Sequence, residues 1–395
     1  MSISLSSTID REDDERQLLR KSVASVAGQF GHRYYRQKAA EDGRAHELWS
    51  ALAESGFTSV NLPEEYGGGG AGLTELTVVC EEVAATGAPL LLLIVSPAIA
   101  GSVIAKFGTE TQKASWLPKF CGQGDPSWKM AFAITEPDAG SNSHNLSTTA
   151  VQQDDGSWLL NGNKTYISGV DEAEAILVVA RTSKDEVTGK GLLSLFIVDV
   201  DSPGLSKSVI ETEVIAPEKQ YALFFDDVVV PAERLVGEPN DGLRQIFTGL
   251  NPERIAGAAM LNGIGRYVLD RAAQYARERE VWGVPIGSHQ GIAHPLAEAK
   301  IYLELARLMT TRAAELYDAG LDAAEAANVA KFAAAEAALM CVDRAIQTFG
   351  GNGVAVEYGV MSMYGMARLL RIAPVSREMI LNFMATHSLG LPRSY

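Results

Sequence analysis

The feature that most constrains the fold is an alanine-rich stretch between positions 321 and 349. A run of this length and composition predicts a long helix, whose apolar stripe is stable only against partner helices. The helical period starts near Asn240 and continues toward the C-terminus. We therefore predict that the last third of the chain is a helix bundle.

The first third also has helical apolar spacing, over residues 16–30, 46–54, 73–85 and 89–105. Residues 63–72 contain four successive glycines and are predicted to form a loop.

Residues 83–105 carry no charge and are long enough to cross a bilayer. Glycine and proline interrupt them repeatedly, so we interpret this segment as a pair of buried core helices and predict no membrane span.

The pattern changes near Trp128. Residues 147–151 and 157–160 flank an Asp-Gly turn and predict a hairpin. Short β-branched or aromatic runs follow, so the fold class is α+β, with a β domain between two helical ones. The predicted domains are 1–126 (N-terminal α-helical), 127–238 (middle, β-barrel-like) and 239–395 (C-terminal four-helix bundle).

The charge balance excludes one class of partner. Lys and Arg total 34 and Asp and Glu 49, a formal net charge of −15. Nucleic-acid binding needs a basic surface, so nucleic acid is not expected as a partner. The widely spaced Cys80, Cys121 and Cys341 fit buried thiols in a reducing cytoplasm better than disulfides, and no Cys or His spacing predicts a metal site.

Three segments carry a resemblance to a known family. They are residues 133–142 (Ala-Ile-Thr-Glu-Pro-Asp-Ala-Gly-Ser-Asn), 279–283 (Arg-Glu-Val-Trp-Gly) with His289-Gln290, and 347–353 (Gln-Thr-Phe-Gly-Gly-Asn-Gly). In this order and spacing they resemble the acyl-CoA dehydrogenase family, and the similarity runs over nearly the whole chain. The resemblance implies helical, β and four-helix-bundle domains in that order, with FAD as cofactor.

The resemblance also implies which residues contact FAD. Thr135 and Ser168 match polar contacts of the isoalloxazine, Tyr166 an aromatic beside it, and Arg279 a phosphate ligand supplied by a neighbouring subunit. The resemblance therefore implies a homo-oligomer, namely a tetramer. The implied cofactor residues are Phe132, Ile134, Thr135, Ser141, Tyr166, Ser168, Arg279, Trp282, Gln290, Gln347, Gly350, Gly351, Ser376 and Glu378.

The implied reaction is α,β-dehydrogenation of an acyl-CoA to the trans-2-enoyl-CoA, with hydride passing to flavin N5 and electrons then passing to an electron-transfer flavoprotein. Most of the family keeps its catalytic glutamate where this chain has Pro374. A subgroup resembling isovaleryl-CoA and long-chain acyl-CoA dehydrogenases keeps it on an earlier helix, just before an arginine. Glu253 fits that position, so we predict Glu253 as the base and Ser141, Asn251 and Arg254 as substrate contacts.

Two prolines raise questions about this site. Pro252 either bends a helix from within or begins a new one. Pro374 lacks the N–H that, in the family, bonds the substrate carbonyl, and the N–H of Val375 is a candidate replacement. Glu253 and Arg254 are successive residues, so no salt bridge between them is expected on a helix.

Alternatives remain open from the residues alone. Without the resemblance, Tyr166 is better explained as a core aromatic of a sheet, and Arg279 and Glu253 as surface helix residues. Two other functions compete: a flavin monooxygenase on the same fold, which Pro374 favours and Glu253 opposes, and a non-catalytic partner subunit.

Overall fold

The structure, a computed structural model, describes residues 12–41 and 43–393. Two of the predicted N-terminal helices have the predicted bounds, and a third begins two residues earlier and ends three residues earlier than predicted. The helix between positions 31 and 40 was not predicted, because Tyr35 is its one buried residue and it has no apolar stripe. The N-terminal helices are α1 (Asp14–Ala27), α2 (Gly31–Ala40), α3 (His46–Glu54), α4 (Leu73–Ala85), α5 (Ser102–Phe107) and α6 (Glu110–Phe120).

The segment Ile94–Gly101 is π-helical rather than α-helical, and it leads directly into α5. The predicted helix at 89–105 is therefore correct in kind, but it begins later and has a wider turn. Pro97 lies inside it and has no N–H to donate, which a widened turn accommodates. No described helix is both long and apolar enough to cross a membrane.

The middle of the chain forms one mixed sheet, in the order β6-β7-β3-β2-β4-β5-β8, with β1 pairing in parallel with β4. The predicted hairpin is confirmed as β2–β3, with Gly156 in its turn at φ 86°. The strand β6 was not predicted because it is mostly exposed and lacks an apolar run. The strands are β1 (Met130–Ala133), β2 (Thr149–Gln152), β3 (Trp158–Ser168), β4 (Ala175–Lys184), β5 (Gly191–Asp199), β6 (Leu205–Ile210), β7 (Gln220–Val230) and β8 (Leu235–Val236).

The C-terminal third is the predicted helix bundle. Ala327, Ala330 and Ala334 of its alanine-rich helix are fully buried, because their small side chains let neighbouring helices approach closely. Pro252 lies inside one continuous helix, so it does not begin a new one. The elements are α7 (Gly242–Glu278), β9 (Glu280–Val281), β10 (Val284–Pro285), α8 (Gln290–Asp318), α9 (Ala324–Phe349), α10 (Ser362–Ile372) and α11 (Arg377–Phe383).

The N-terminal helices are joined to the bundle by buried charges as well as by apolar packing. Glu81 of α4 accepts hydrogen bonds from Arg266 of α7 and from Arg307 of α8, each at 2.8 Å. Glu81 is 7% exposed, so the pairing compensates the cost of removing these charges from water.

The π-helical segment lies between α7 and the sheet, and this position matters for the site. On one side the hydroxyl of Ser96 accepts the N–H of Met130 in β1 at 3.1 Å. On the other, a Cβ added to Gly249 of α7 would lie 3.3 Å from Ile99, and one added to Gly257 would lie 3.9 Å from Ile94. Glycine at position 249 therefore lets α7 pack closely on the segment, whereas a Cβ at position 257 would make an ordinary van der Waals contact.

Candidate active site

Glu253 lies on the face of α7 that packs against the π-helical segment, one helical turn from both Gly249 and Gly257. Its side chain is half-buried and has no hydrogen bond or ion pair with any described residue. Burial raises the pKa of the Glu253 carboxyl to about 7, although the charges of Arg254 and Lys331 oppose this shift. A carboxyl that is half ionised near neutral pH is well suited to accept a proton.

Arg254 does not neutralise Glu253. Its Nη1 donates instead to Oδ1 of Asn251 at 2.8 Å, and no Glu253–Arg254 salt bridge forms, as the helical spacing predicted. The Nε of Arg254 is buried without a described partner, and burial lowers the pKa of this guanidinium. Neither the Glu253 carboxylate nor the Arg254 Nε–H is therefore used in a hydrogen bond with a described residue.

The turn that connects α10 to α11 contains Pro374. The N–H of Val375 has no acceptor among the described residues, whereas its carbonyl accepts a hydrogen bond from Lys331 Nζ at 2.6 Å. The hydroxyl of Ser376 accepts the N–H of Met379 at 3.3 Å and so caps α11. Glu378 is exposed in the first turn of that helix.

Lys331 was not among the predicted site residues. It is 1% exposed, and burial lowers the pKa of its ammonium to about 8. Its signal in the sequence is a charged residue on the buried alanine stripe of α9, between Ala327 and Ala334. A charge at such a position requires partners, which the tertiary structure supplies.

A bulge at the end of β3 brings Tyr166 to the surface. The register between β3 and β7 shifts between Lys164 and Ile167, and Tyr166 adopts φ 56° and is 62% exposed. The N–H of Thr165 bonds the carbonyl of Thr135 at 2.9 Å instead of continuing the ladder. Tyr166 is therefore not a core aromatic, which excludes that alternative explanation.

Beyond the bulge, Ser168 and Gln220 exchange hydrogen bonds of 3.1 and 3.0 Å. Among the other predicted residues nearby, Phe132 is buried in β1, and Ile134 and Thr135 are half-buried just after it.

Glu136 fixes the loop that carries the first motif. It is 2% exposed and accepts hydrogen bonds from the N–H groups of Ser147 and Thr148 and from Lys164 Nζ, at 2.6, 3.0 and 2.8 Å. Burial alone would raise its pKa, but the Lys164 ammonium and these donors hold the pKa of Glu136 at about 2. The loop is thereby tied to β3, while Ser141 at its end is exposed.

The remaining predicted cofactor residues lie at the far end of the bundle. Arg279 follows Glu253 by 26 residues along α7, which corresponds to about 39 Å. The Tyr275 ring stacks on Phe349 at 4.3 Å and its hydroxyl accepts from Asn352 at 3.0 Å, so the end of α9 lies beside the end of α7. The chain does not bring this exposed group to Glu253; its members are Arg279, Trp282, Gln290, Gln347, Gly350 and Gly351.

Comparisons with known proteins agree with this architecture. Residues 13–123, 131–228 and 240–389 match the N-terminal, middle and C-terminal domains of acyl-CoA dehydrogenases. Acyl-CoA dehydrogenase FadE12 of Mycobacterium tuberculosis is 57% identical over 386 residues, covering 97% of this chain and 98% of the relative. The mitochondrial short-chain specific acyl-CoA dehydrogenase of Rattus norvegicus is 35% identical over 348 residues, covering 87% and 82%.

The fold also matches solved structures. Glutaryl-coenzyme A dehydrogenase in its glutaryl-CoA complex has a TM-score of 0.91 at 31% identity, covering 98% of both chains. Given three matching domains in the observed order and relatives this similar over most of their length, the chain belongs to the acyl-CoA dehydrogenase family of oxidoreductases.

Proposed function

We propose that this FAD-dependent acyl-CoA dehydrogenase uses Glu253 as the base that removes the α-proton of the thioester substrate. One observation carries the proposal: Glu253 has a pKa of about 7 and no described partner, on a helix face turned to the apolar π-helical segment. Such a carboxylate can take up a proton, and its apolar surroundings limit competing water.

Family membership identifies the cofactor as FAD, and the residues at the two ends of the predicted site fit it. Tyr166 offers an exposed ring beside the hydroxyl of Ser168, which suits a flat, polar-edged ring system. Exposed Arg279 suits a pyrophosphate, and a Cβ at Gly350 or Gly351 would meet nothing within 4 Å. When bound, FAD supplies the acceptor for the hydride that leaves the β-carbon.

The chain's own groups then have distinct tasks. Glu253 accepts the α-proton at a carboxylate oxygen, and loss of that proton together with the β-hydride leaves the trans-2-enoyl-CoA. Negative charge develops on the thioester carbonyl as the proton leaves, and hydrogen-bond donors stabilise it. The N–H of Val375, which has no described acceptor, is our candidate for the donor missing at Pro374. Arg254 and Asn251 contribute to substrate binding, as does Ser141.

We further propose that the enzyme is a homo-oligomer, namely a tetramer, and that each cofactor site is shared between two chains. The separation of about 39 Å between Glu253 and Arg279 supports this arrangement. So do the exposed side chains of Ile301, Tyr302 and Leu305 on α8, at 61, 48 and 56% exposure, which form an apolar face without a described partner.

We also propose domain boundaries near residues 126 and 238. Three free cysteines support a cytoplasmic location. The proposed electron acceptor is an electron-transfer flavoprotein. An electron acceptor is required because each dehydrogenation removes two electrons from the substrate.

The base is tested by adding straight, branched and cyclic acyl-CoAs to the purified protein without oxygen, while following the flavin absorbance. Wild type should bleach with at least one of them, and Glu253→Gln should not, at equal FAD content. Bleaching in Glu253→Gln at the wild-type rate would refute the base. Bleaching only with NAD(P)H, followed by rapid oxygen consumption, would identify a monooxygenase, and a colourless protein that binds no FAD would favour the partner subunit.

The shared site is tested by complementation. Glu253→Gln and Arg279→Gln each damage every site of their own oligomer. If Arg279 acts across the interface, co-expression of the two should restore activity, because some mixed sites then receive an intact residue from each chain. Failure to regain activity in verified mixed oligomers would contradict sharing.

A further inference from the structure

Lys331 connects α9 to the turn that contains Pro374. Its Nζ donates to the carbonyl of Arg371 at 3.1 Å, at the end of α10, and to the carbonyl of Val375 at 2.6 Å. These two carbonyls stand on either side of Pro374. A buried ammonium with two such bonds restrains the turn from both ends.

A second contact holds the same turn nearer the surface. Glu336, one and a half helical turns beyond Lys331 on α9, accepts from the Nε atoms of Arg371 and Arg377 at 2.8 and 3.0 Å. Its side chain is 38% exposed. Glu336 therefore restrains the turn without being buried with the base, which makes it a matched control.

The charged groups around Lys331 come from three helices, α7, α10 and α11. Burial and the charge of Arg254 lower the pKa of Lys331, whereas Glu253 opposes the shift; Arg371 and Glu378 contribute less. The interaction is mutual, because the Lys331 charge also lowers the pKa of Glu253. The ammonium thus acts on the carboxylate of α7 and on the turn between α10 and α11.

On this basis, and resting on the proposed function, we propose that Lys331 is a positioning residue for the dehydrogenation. It fixes the turn at residues 373–376, and its positive charge favours the ionised form of the base. Removing the ammonium has two consequences: the turn loosens, and the carboxylate becomes harder to ionise.

The experiment compares the pH dependence of kcat/KM for wild type, Lys331→Met and Glu336→Ala, with an acyl-CoA that reduces the wild-type flavin. In Lys331→Met we expect the acidic limb of the profile to move to higher pH by about half a unit or more. This shift lowers kcat/KM about threefold at low pH. Glu336→Ala also loosens the turn but should leave the acidic limb where it is in wild type. Lys331→Arg, which keeps the charge, should return the limb toward the wild-type position.

The FAD absorbance and the oligomer size of each variant are measured to check that all variants fold to the same extent. If Lys331→Met does not fold, Lys331→Gln replaces it, because that variant loses the charge but keeps a donor for one carbonyl. An unmoved acidic limb in the folded variant would overturn the proposal, as would an equal shift in Glu336→Ala. Wild type that bleaches with no acyl-CoA, or Glu253→Gln that retains wild-type activity, would overturn the proposed function instead.

Discussion

Replacing Glu253 by glutamine should abolish flavin reduction and also make the protein more stable at alkaline pH. The amide has nearly the same shape as the carboxyl but never carries a charge. Loss of a general base typically costs 10²–10⁴-fold in rate. The stability gain arises because the native protein buries this carboxyl without a described ion-pair partner.

The size of the gain follows from the pKa of Glu253, which rises from 4.5 to about 7 on folding. The folded state therefore holds its proton more tightly than the unfolded state. The contribution of this group to the unfolding free energy is fully present below pH 4.5 and is lost as the pH rises through 7. The full shift corresponds to about 3 kcal/mol of unfolding free energy at high pH. Water reaches the half-buried carboxyl, so about half of this is realistic.

The assay is calorimetric unfolding of wild type and Glu253→Gln between about pH 5.5 and 8.5, at matched FAD occupancy. Over this interval the unfolding free energy of Glu253→Gln should rise relative to that of wild type by about 1 kcal/mol. Without screening by solvent the rise would be about 2 kcal/mol. Glu54→Gln, at the exposed end of α3, is the control and should show no such growth. A variant less stable than wild type at pH 8.5, or a gain independent of pH, would refute the argument that Glu253 is desolvated.

Three further predictions concern other parts of the molecule. Tyr166→Ala should weaken FAD binding about tenfold, measured by fluorescence titration of the apoprotein, because an exposed ring is removed from the proposed flavin wall. Arg254→Lys should raise KM for the acyl-CoA about tenfold at unchanged FAD absorbance, because it removes the unpaired Nε–H donor. Glu81→Ala should lower the unfolding free energy by about 3 kcal/mol, seen in thermal unfolding, because Arg266 and Arg307 lose a shared buried partner.

The sequence by itself determined the order of the domains and much of the secondary structure. The bounds of α3 and α4 and the β2–β3 hairpin follow from apolar spacing and turn residues, which act over a few neighbouring positions. The motifs were sufficient for the family, and Glu253 could be singled out by its register with them. Elements without an apolar pattern, such as α2 and β6, could not be found this way.

The tertiary structure alone decided what the site residues experience. The close packing of α7 on the π-helical segment desolvates Glu253, and a register shift against β7 exposes Tyr166. Lys331 donates hydrogen bonds to a turn some 40 residues further along the chain. Burial, electrostatic environment and exposure depend on contacts between distant segments, whereas propensity and periodicity depend on neighbours along the chain. The residues of the site are therefore visible in the sequence, but their chemistry is set by the fold.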